Sequence, residues 1–196
     1  MVVPLARLGW KAPGKAAVLL YYSGLGAGIM LIEMGVMLHA HAWLGSPAVA
    51  AAVVLTTLLF ASGVGSLVSE RFGAEPRIQQ RIVIGIASAS VVAGVLLAVL
   101  GSLARAWPAW GQVAALLLLV VALGAAMGMA FPIGLRRLEA VRPAHVPWAW
   151  AINGCVSVAT PAGAMLLAMS AGFGALFVAG AAYLVASAGA WMGRKE

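Results

Sequence analysis

Residues 71–104 read RFGAEPRIQQR (71–81) followed by IVIGIASASVVAGVLLAVLGSLA (82–104). Arg71, Arg77 and Arg81 are succeeded at once by 23 residues without a charge. A hydrocarbon core about 30 Å thick needs roughly 20 apolar residues in a helix. Residues 82–104 therefore predict a membrane span with its basic flank at one membrane face. The same unit recurs along the chain. Arg7/Lys11/Lys15, Arg71/Arg77/Arg81, Arg136/Arg137/Arg142 and Arg194/Lys195 hold 11 of the 12 lysines and arginines, Arg105 being the exception. Two apolar runs separate each successive pair of groups, which places six spans at about 16–38, 47–69, 82–104, 112–133, 147–169 and 172–192. Cytoplasmic loops carry the Lys/Arg excess. The expectation is an all-α, six-span transmembrane helical bundle. It forms one integral membrane domain over 1–196, multi-pass in the bacterial cytoplasmic (inner) membrane, with both termini cytoplasmic.

Composition agrees. Hydrophobic residues make up 64% of the chain and charged ones 9%, against about 25% charged in soluble domains. The net charge of +7 is confined to span flanks, so it orients the chain toward lipid headgroups and does not indicate nucleic acid. A signal peptide is disfavoured: the first apolar run, 16–38, is longer than the roughly 7–15 residues of a signal core. The seven tryptophans fall at expected span ends: Trp43, Trp107 and Trp110 outside, Trp10, Trp148, Trp150 and Trp191 inside. Amphipathic indoles belong at that interface. Inner loops are expected over 70–81 and 134–146, broken by Pro76, Pro143 and Pro147, and an outer loop over 39–46. Ser170-Ala171 should join spans five and six as antiparallel neighbours. Cys155 reads as a small buried residue.

The chain has no aspartate, and of its five glutamates Glu33 alone lies in a span. A carboxylate in hydrocarbon is costly and marks a functional-site hypothesis. Counted from the outer end at residue 38, Glu33 should lie level with Ala52, Val99, Leu117, Met165 and Phe177, none of which pairs with it. Three fates are open. Glu33 is carried neutral, or it snorkels toward His39, His41 or Arg105, or it meets a group from another chain, a lipid or a ligand. Arg105 is the one fixed cation on the outer side, the same side as Glu33. His39 and His41 are weak candidates for cofactor binding. Spaced i, i+2, they do not share a helix face, and no metal cluster surrounds them. No cofactor is specified.

Span five carries Asn153, Ser157 and Thr160 on one helical face, with Pro161 freeing the Ser157 carbonyl. These residues either bond between helices or line a polar cavity with Thr56. Gly24-x-x-x-Gly28, Gly124-x-x-x-Gly128 and Gly189-x-x-x-Gly193 read as close-packing surfaces. A catalytic serine–histidine–acid set at one depth and a phosphate-cradling loop are both absent from the sequence.

Five stretches then point to a family: Gly24-Leu-Gly-Ala-Gly-Ile-Met-Leu-Ile-Glu33, Leu44-Gly-Ser-Pro47, Gly63-Val-Gly-Ser66, Gly128-Met-Ala-Phe-Pro-Ile-Gly-Leu-Arg136 and Val146-Pro-Trp-Ala-Trp-Ala-Ile-Asn-Gly154. In this order they resemble the C-terminal transmembrane region of bacterial membrane-bound spermidine/spermine synthase-like proteins. The resemblance aligns Glu33 with that family's span-one glutamate and Asn153 with the asparagine after its Pro-Trp-Ala-Trp motif. Ser46 stands where the family usually has histidine. Leu38 and His39 stand where it often has glutamine and a basic residue. The family's aspartate-using catalytic domain precedes its spans, and this chain starts just before span one, so the resemblance implies that enzyme activity is not carried here. A weaker likeness links Ser66-Leu-Val-Ser-Glu70-Arg71-Phe-Gly73 to the loop motif of a six-span half of a major-facilitator transporter.

The expected function is a non-catalytic integral membrane accessory or scaffold subunit of a larger complex, with a respiratory or photosynthetic assembly as a reasonable host. The alternative is a half-size major-facilitator-like transporter acting as a homodimer. A membrane partner of a separately encoded aminopropyltransferase-like enzyme comes third. Expected partners are the lipid bilayer and other membrane subunits.

Overall fold

The computed structural model describes residues 15–73, 75–103 and 106–192. These form six α-helices: α1 Lys15–Leu44, α2 Pro47–Ser69, α3 Pro76–Leu103, α4 Ala109–Val141, α5 Val146–Ala171 and α6 Gly174–Met192. A 3-10 turn, Pro143–His145, precedes α5. Among the described residues there is no strand. Five helices, α1 to α5, are long and apolar enough to cross a membrane, and α6 is a shorter apolar helix. At 19 residues, α6 measures about 28 Å.

The helices are longer than the expected spans. Helix α1 runs on through His39 and His41 to Leu44, so no outer loop covers 39–46. It stops because Gly45 adopts φ 68° and donates its N–H to the His41 carbonyl at 3.0 Å. Glycine is the residue that tolerates this left-handed cap. Ser46 caps α2, its Oγ accepting from the Val49 N–H at 3.4 Å, and Pro47 occupies the first turn. Two residues, Gly45 and Ser46, thus make the whole connection. At the other end of the bundle Pro76, Pro143 and Pro147 begin helical segments, where a missing N–H costs nothing. Helix α4 continues to Val141, so Arg136 and Arg137 are helical residues and not loop residues. The α5–α6 turn centres on Gly172, φ 81°, with Ser170 and Ala171 still in α5.

Helix α1 is the hub and touches all five others. Its hydrophobic window is 61% buried, against 11% for α5. Because lipid tails are as apolar as leucine, helices in a bilayer associate through close packing and not through hydrophobic exclusion. Glycines provide that closeness here. A Cβ at Gly24 would fall 2.8 Å from Ser187 Cβ, and one at Gly28 2.8 Å from Leu184 Cγ, which fits α6 against α1. Gly65 lies on the Ala125 carbonyl, Gly128 on the Ser62 backbone, and Gly124 on Ala61 and Leu58, which fits α2 against α4. The Phe177 ring of α6 fills the space left by Gly35 of α1 and Gly94 of α3. Helix α6 thus packs mainly on α1 and α3, and α5 mainly on α1. The turn that links α5 and α6 does not make them each other's chief partner.

These contacts imply a specific pattern of tolerance. Gly128→Val should lower the stability of the purified chain in detergent by about 1–3 kcal/mol, the usual range for overpacking. Gly63→Ala, also on the α2–α4 pair but with nothing within 4 Å of the added Cβ, should leave the thermal midpoint unchanged or raise it. Thermal unfolding of the two variants side by side checks both.

Candidate functional site

Glu33 sits near the middle of the bundle. It lies, partly buried, on a groove of about 410 Å³ bounded by Ile29 of α1, by Leu55, Leu58, Leu59 and Ser62 of α2, and by Gly124, Met127 and Gly128 of α4. Leu58 is halfway along α2, and Gly124–Gly128 straddle the midpoint of α4. Sequence counting placed Glu33 level with Ala52 and Leu117. The actual neighbours lie several residues further along both helices, some 10 Å deeper at 1.5 Å per residue. The error came from ending span one at residue 38, six positions before α1 ends.

Among the described residues no hydrogen bond or ion pair reaches the Glu33 carboxylate. Ser62 is the other polar lining residue, and its hydroxyl donates to the Leu59 carbonyl at 3.1 Å. The mouth of the groove is formed by Leu55, 47% exposed, and Leu59, 78% exposed. It therefore opens sideways, on the outer surface of α2.

His39 does not turn toward Glu33. Its Nδ1 lies 2.9 Å from the Gly35 carbonyl, and its ring meets Phe173 and Phe177 edge-on at 5.5 and 5.7 Å. It borders a second crevice, about 380 Å³, together with Trp43, Gly101, Ser102 and Gln112. His41 is exposed on another face. Arg105 lies outside the described residues, as do Trp10 and Gly193. Gly101 of α3 packs on Trp43, ten positions beyond Glu33 or about 15 Å along α1. Among the described residues no group of three or more histidine, cysteine or acidic side chains forms a metal site.

On α5, Asn153 and Ser157 face α1, where both lie within about 3.1 Å of the position a Gly26 Cβ would take. Thr160 bonds back to the Val156 carbonyl at 2.7 Å. Thr56 is exposed on α2 and does not join them. The opposite face of α5 is bare. Gly154 and Gly163 have nothing within 4 Å of an added Cβ, and neither does Gly189 on α6. Cys155 is exposed there and not buried, because the polar stripe turns it away from α1.

The arginine-bearing end holds a polar network that spacing alone did not suggest. The Arg136 guanidinium donates through Nη2 to the Ser69 carbonyl and through Nη1 to Ser69 Oγ at 3.2 Å. Ser69 ends α2, and its carbonyl also accepts the Phe72 N–H at 3.1 Å, so Arg136 is a second, charged donor to that carbonyl and places a cation at the negative end of the helix dipole. Arg137 Nη1 donates to Gln79 Oε1 of α3 at 3.3 Å. Tyr21 of α1 donates to the Ala130 carbonyl of α4 at 3.3 Å, and its ring lies on Gly134. Four helices are tied together at this end. A serine at the close of one helix and an arginine in the last turns of another were the available signals.

Arg136→Ala should destabilise the chain by about 1.5–3 kcal/mol, the usual worth of a hydrogen bond to a charged group. Arg136→Lys should recover part of it, since one ammonium replaces a two-nitrogen fork. Arg71→Ala, at an exposed position, should change nothing. Denaturation in increasing dodecyl sulfate ranks the three.

Comparison with protein-family models, with curated proteins and with solved structures finds no match for this chain.

Proposed function

We propose that the chain is a non-catalytic accessory or scaffold subunit of a larger membrane assembly, with all six helices spanning a bacterial inner membrane and both termini in the cytoplasm. The orientation rests on the four basic groups flanking the spans. The short α6 completes the count by tilting less, or by thinning the bilayer locally, since about 28 Å is close to the hydrocarbon thickness.

One observation carries the subunit reading. Helix α5 is held mainly by α1, with smaller contacts to α6 and α4, and most of its surface is uncovered. That uncovered face mixes Gly154, Cys155, Ala159 and Gly163 with the protruding Val158, Leu166 and Met169. Small residues lower the cost of close backbone approach by a second helix, and they are concentrated where membrane helices meet. The Gly24/Gly28 and Gly124/Gly128 pairs already pack within the chain, whereas Gly154 and Gly163 are both open on one helix, and α5 is the surface we assign to a neighbour. A respiratory or photosynthetic complex is a suitable host, and a separately encoded aminopropyltransferase-like enzyme is a narrower possibility that follows from the family resemblance. The transporter alternative needs a homodimer, with α5 as its natural seam.

Purification from the native membrane in mild detergent, followed by mass spectrometry, should return this chain with other membrane subunits at fixed stoichiometry. Gly154→Leu/Gly163→Leu should release those subunits without lowering the thermal midpoint of the chain, since neither position has an internal neighbour. Recovery of the wild-type chain alone, as a monomer or a homodimer, contradicts the subunit reading.

A further inference from the structure

We infer that the Glu33 groove binds a lipid-soluble organic monocation, its charge against the carboxylate and its apolar body along α2 and α4. Four observations support this.

The first is charge. Among the described residues Glu33 has no polar partner, and its surroundings are apolar apart from Ser62. Placing a cation beside it removes the cost of an isolated charge in hydrocarbon. The second is polarity. Ser62 uses its proton on the Leu59 carbonyl, so the ionised groove offers acceptors and no donor side chain. An anion finds nothing to bind there. A bare metal ion finds too few oxygens, since hard cations take about six or more.

The third is size. A volume of about 410 Å³ falls within the roughly 300–1,000 Å³ of small-molecule pockets, which are mostly apolar with a few placed polar groups. A single lysine side chain from a partner helix would fill only a small part of it. The fourth is access. Leu55 and Leu59 put the mouth on the lateral surface of α2, at mid-bundle. A phospholipid ammonium stays at the headgroup level, about 15 Å away for a core some 30 Å thick. The occupant must therefore dissolve in hydrocarbon while charged. This selects cations whose charge is shielded by carbon, such as quaternary ammonium or phosphonium compounds, over strongly hydrated primary amines. No lining residue belongs to α5, so a ligand here neither requires nor excludes a partner subunit.

The test uses the full chain in phosphatidylcholine nanodiscs and radiolabelled tetraphenylphosphonium as the probe. Saturable binding at one site per chain is expected. Glu33→Gln should weaken it about tenfold or more, equivalent to about 1.4 kcal/mol. Glu70→Gln, which replaces a carboxyl outside the groove, should leave it unchanged. Leu59→Trp gives a second arm: it blocks the mouth at a position 78% exposed and should abolish binding while the thermal midpoint stays at the wild-type value. Neutral triphenylphosphine oxide should not compete. Three results overturn the inference: no saturable binding to the wild-type chain, equal affinity in a folded Glu33→Gln chain, or equal competition by the neutral compound.

Discussion

Close backbone approach at glycine is the constraint on which the rest of this bundle depends. In water, apolar side chains would bring the helices together. In hydrocarbon that drive is absent, and association relies on packing and interhelical hydrogen bonds. Helix α1 meets α6 through Gly24 and Gly28, and α2 meets α4 through Gly65, Gly124 and Gly128. Where these pairs close, the wedge between α1, α2 and α4 is left as the groove that contains Glu33. The same glycines that hold the fold thus shape the mid-depth groove that contains Glu33. The arginine-bearing end adds a hydrogen-bonded clamp through Arg136, Arg137 and Tyr21, which fixes four helices in register at the far end from the Gly45 turn.

The helical, membrane-type character was legible in the sequence because charge and apolar length are one-dimensional properties. The run 82–104 lies almost wholly within α3, and each expected span overlaps a helix. Helix ends were less legible. Polar residues such as His39 and His41 mark where lipid should stop, yet a helix continues until something caps it, here Gly45. Misplacing that end moved Glu33 by nearly two turns relative to its neighbours. Pro76, Pro143 and Pro147 were read as breakers, whereas they occupy first turns, where the backbone has no bond to lose.

The candidate site was legible as a residue but not as a place. Glu33 stood out because it is the sole acidic residue within a span. Its partners in the groove, Leu58, Ser62 and Gly128, come from two helices whose relative depth no local signal encodes. The bare face of α5 was hidden for a related reason. Gly154 and Gly163 are nine residues apart and match no short motif. Their exposure follows only once Asn153 and Ser157 are known to turn inward onto Gly26.

The central claim is that α1 holds a carboxyl at the middle of the membrane, facing lipid and away from water. Carbodiimide labelling of the chain in intact membranes, with the modified residue located by mass spectrometry, tests it most directly. Lipid-soluble dicyclohexylcarbodiimide should modify Glu33, and a water-soluble carbodiimide should modify Glu70, Glu75 and Glu139 while leaving Glu33 untouched. Modification of Glu33 by the water-soluble reagent, or its resistance to both, would contradict the account.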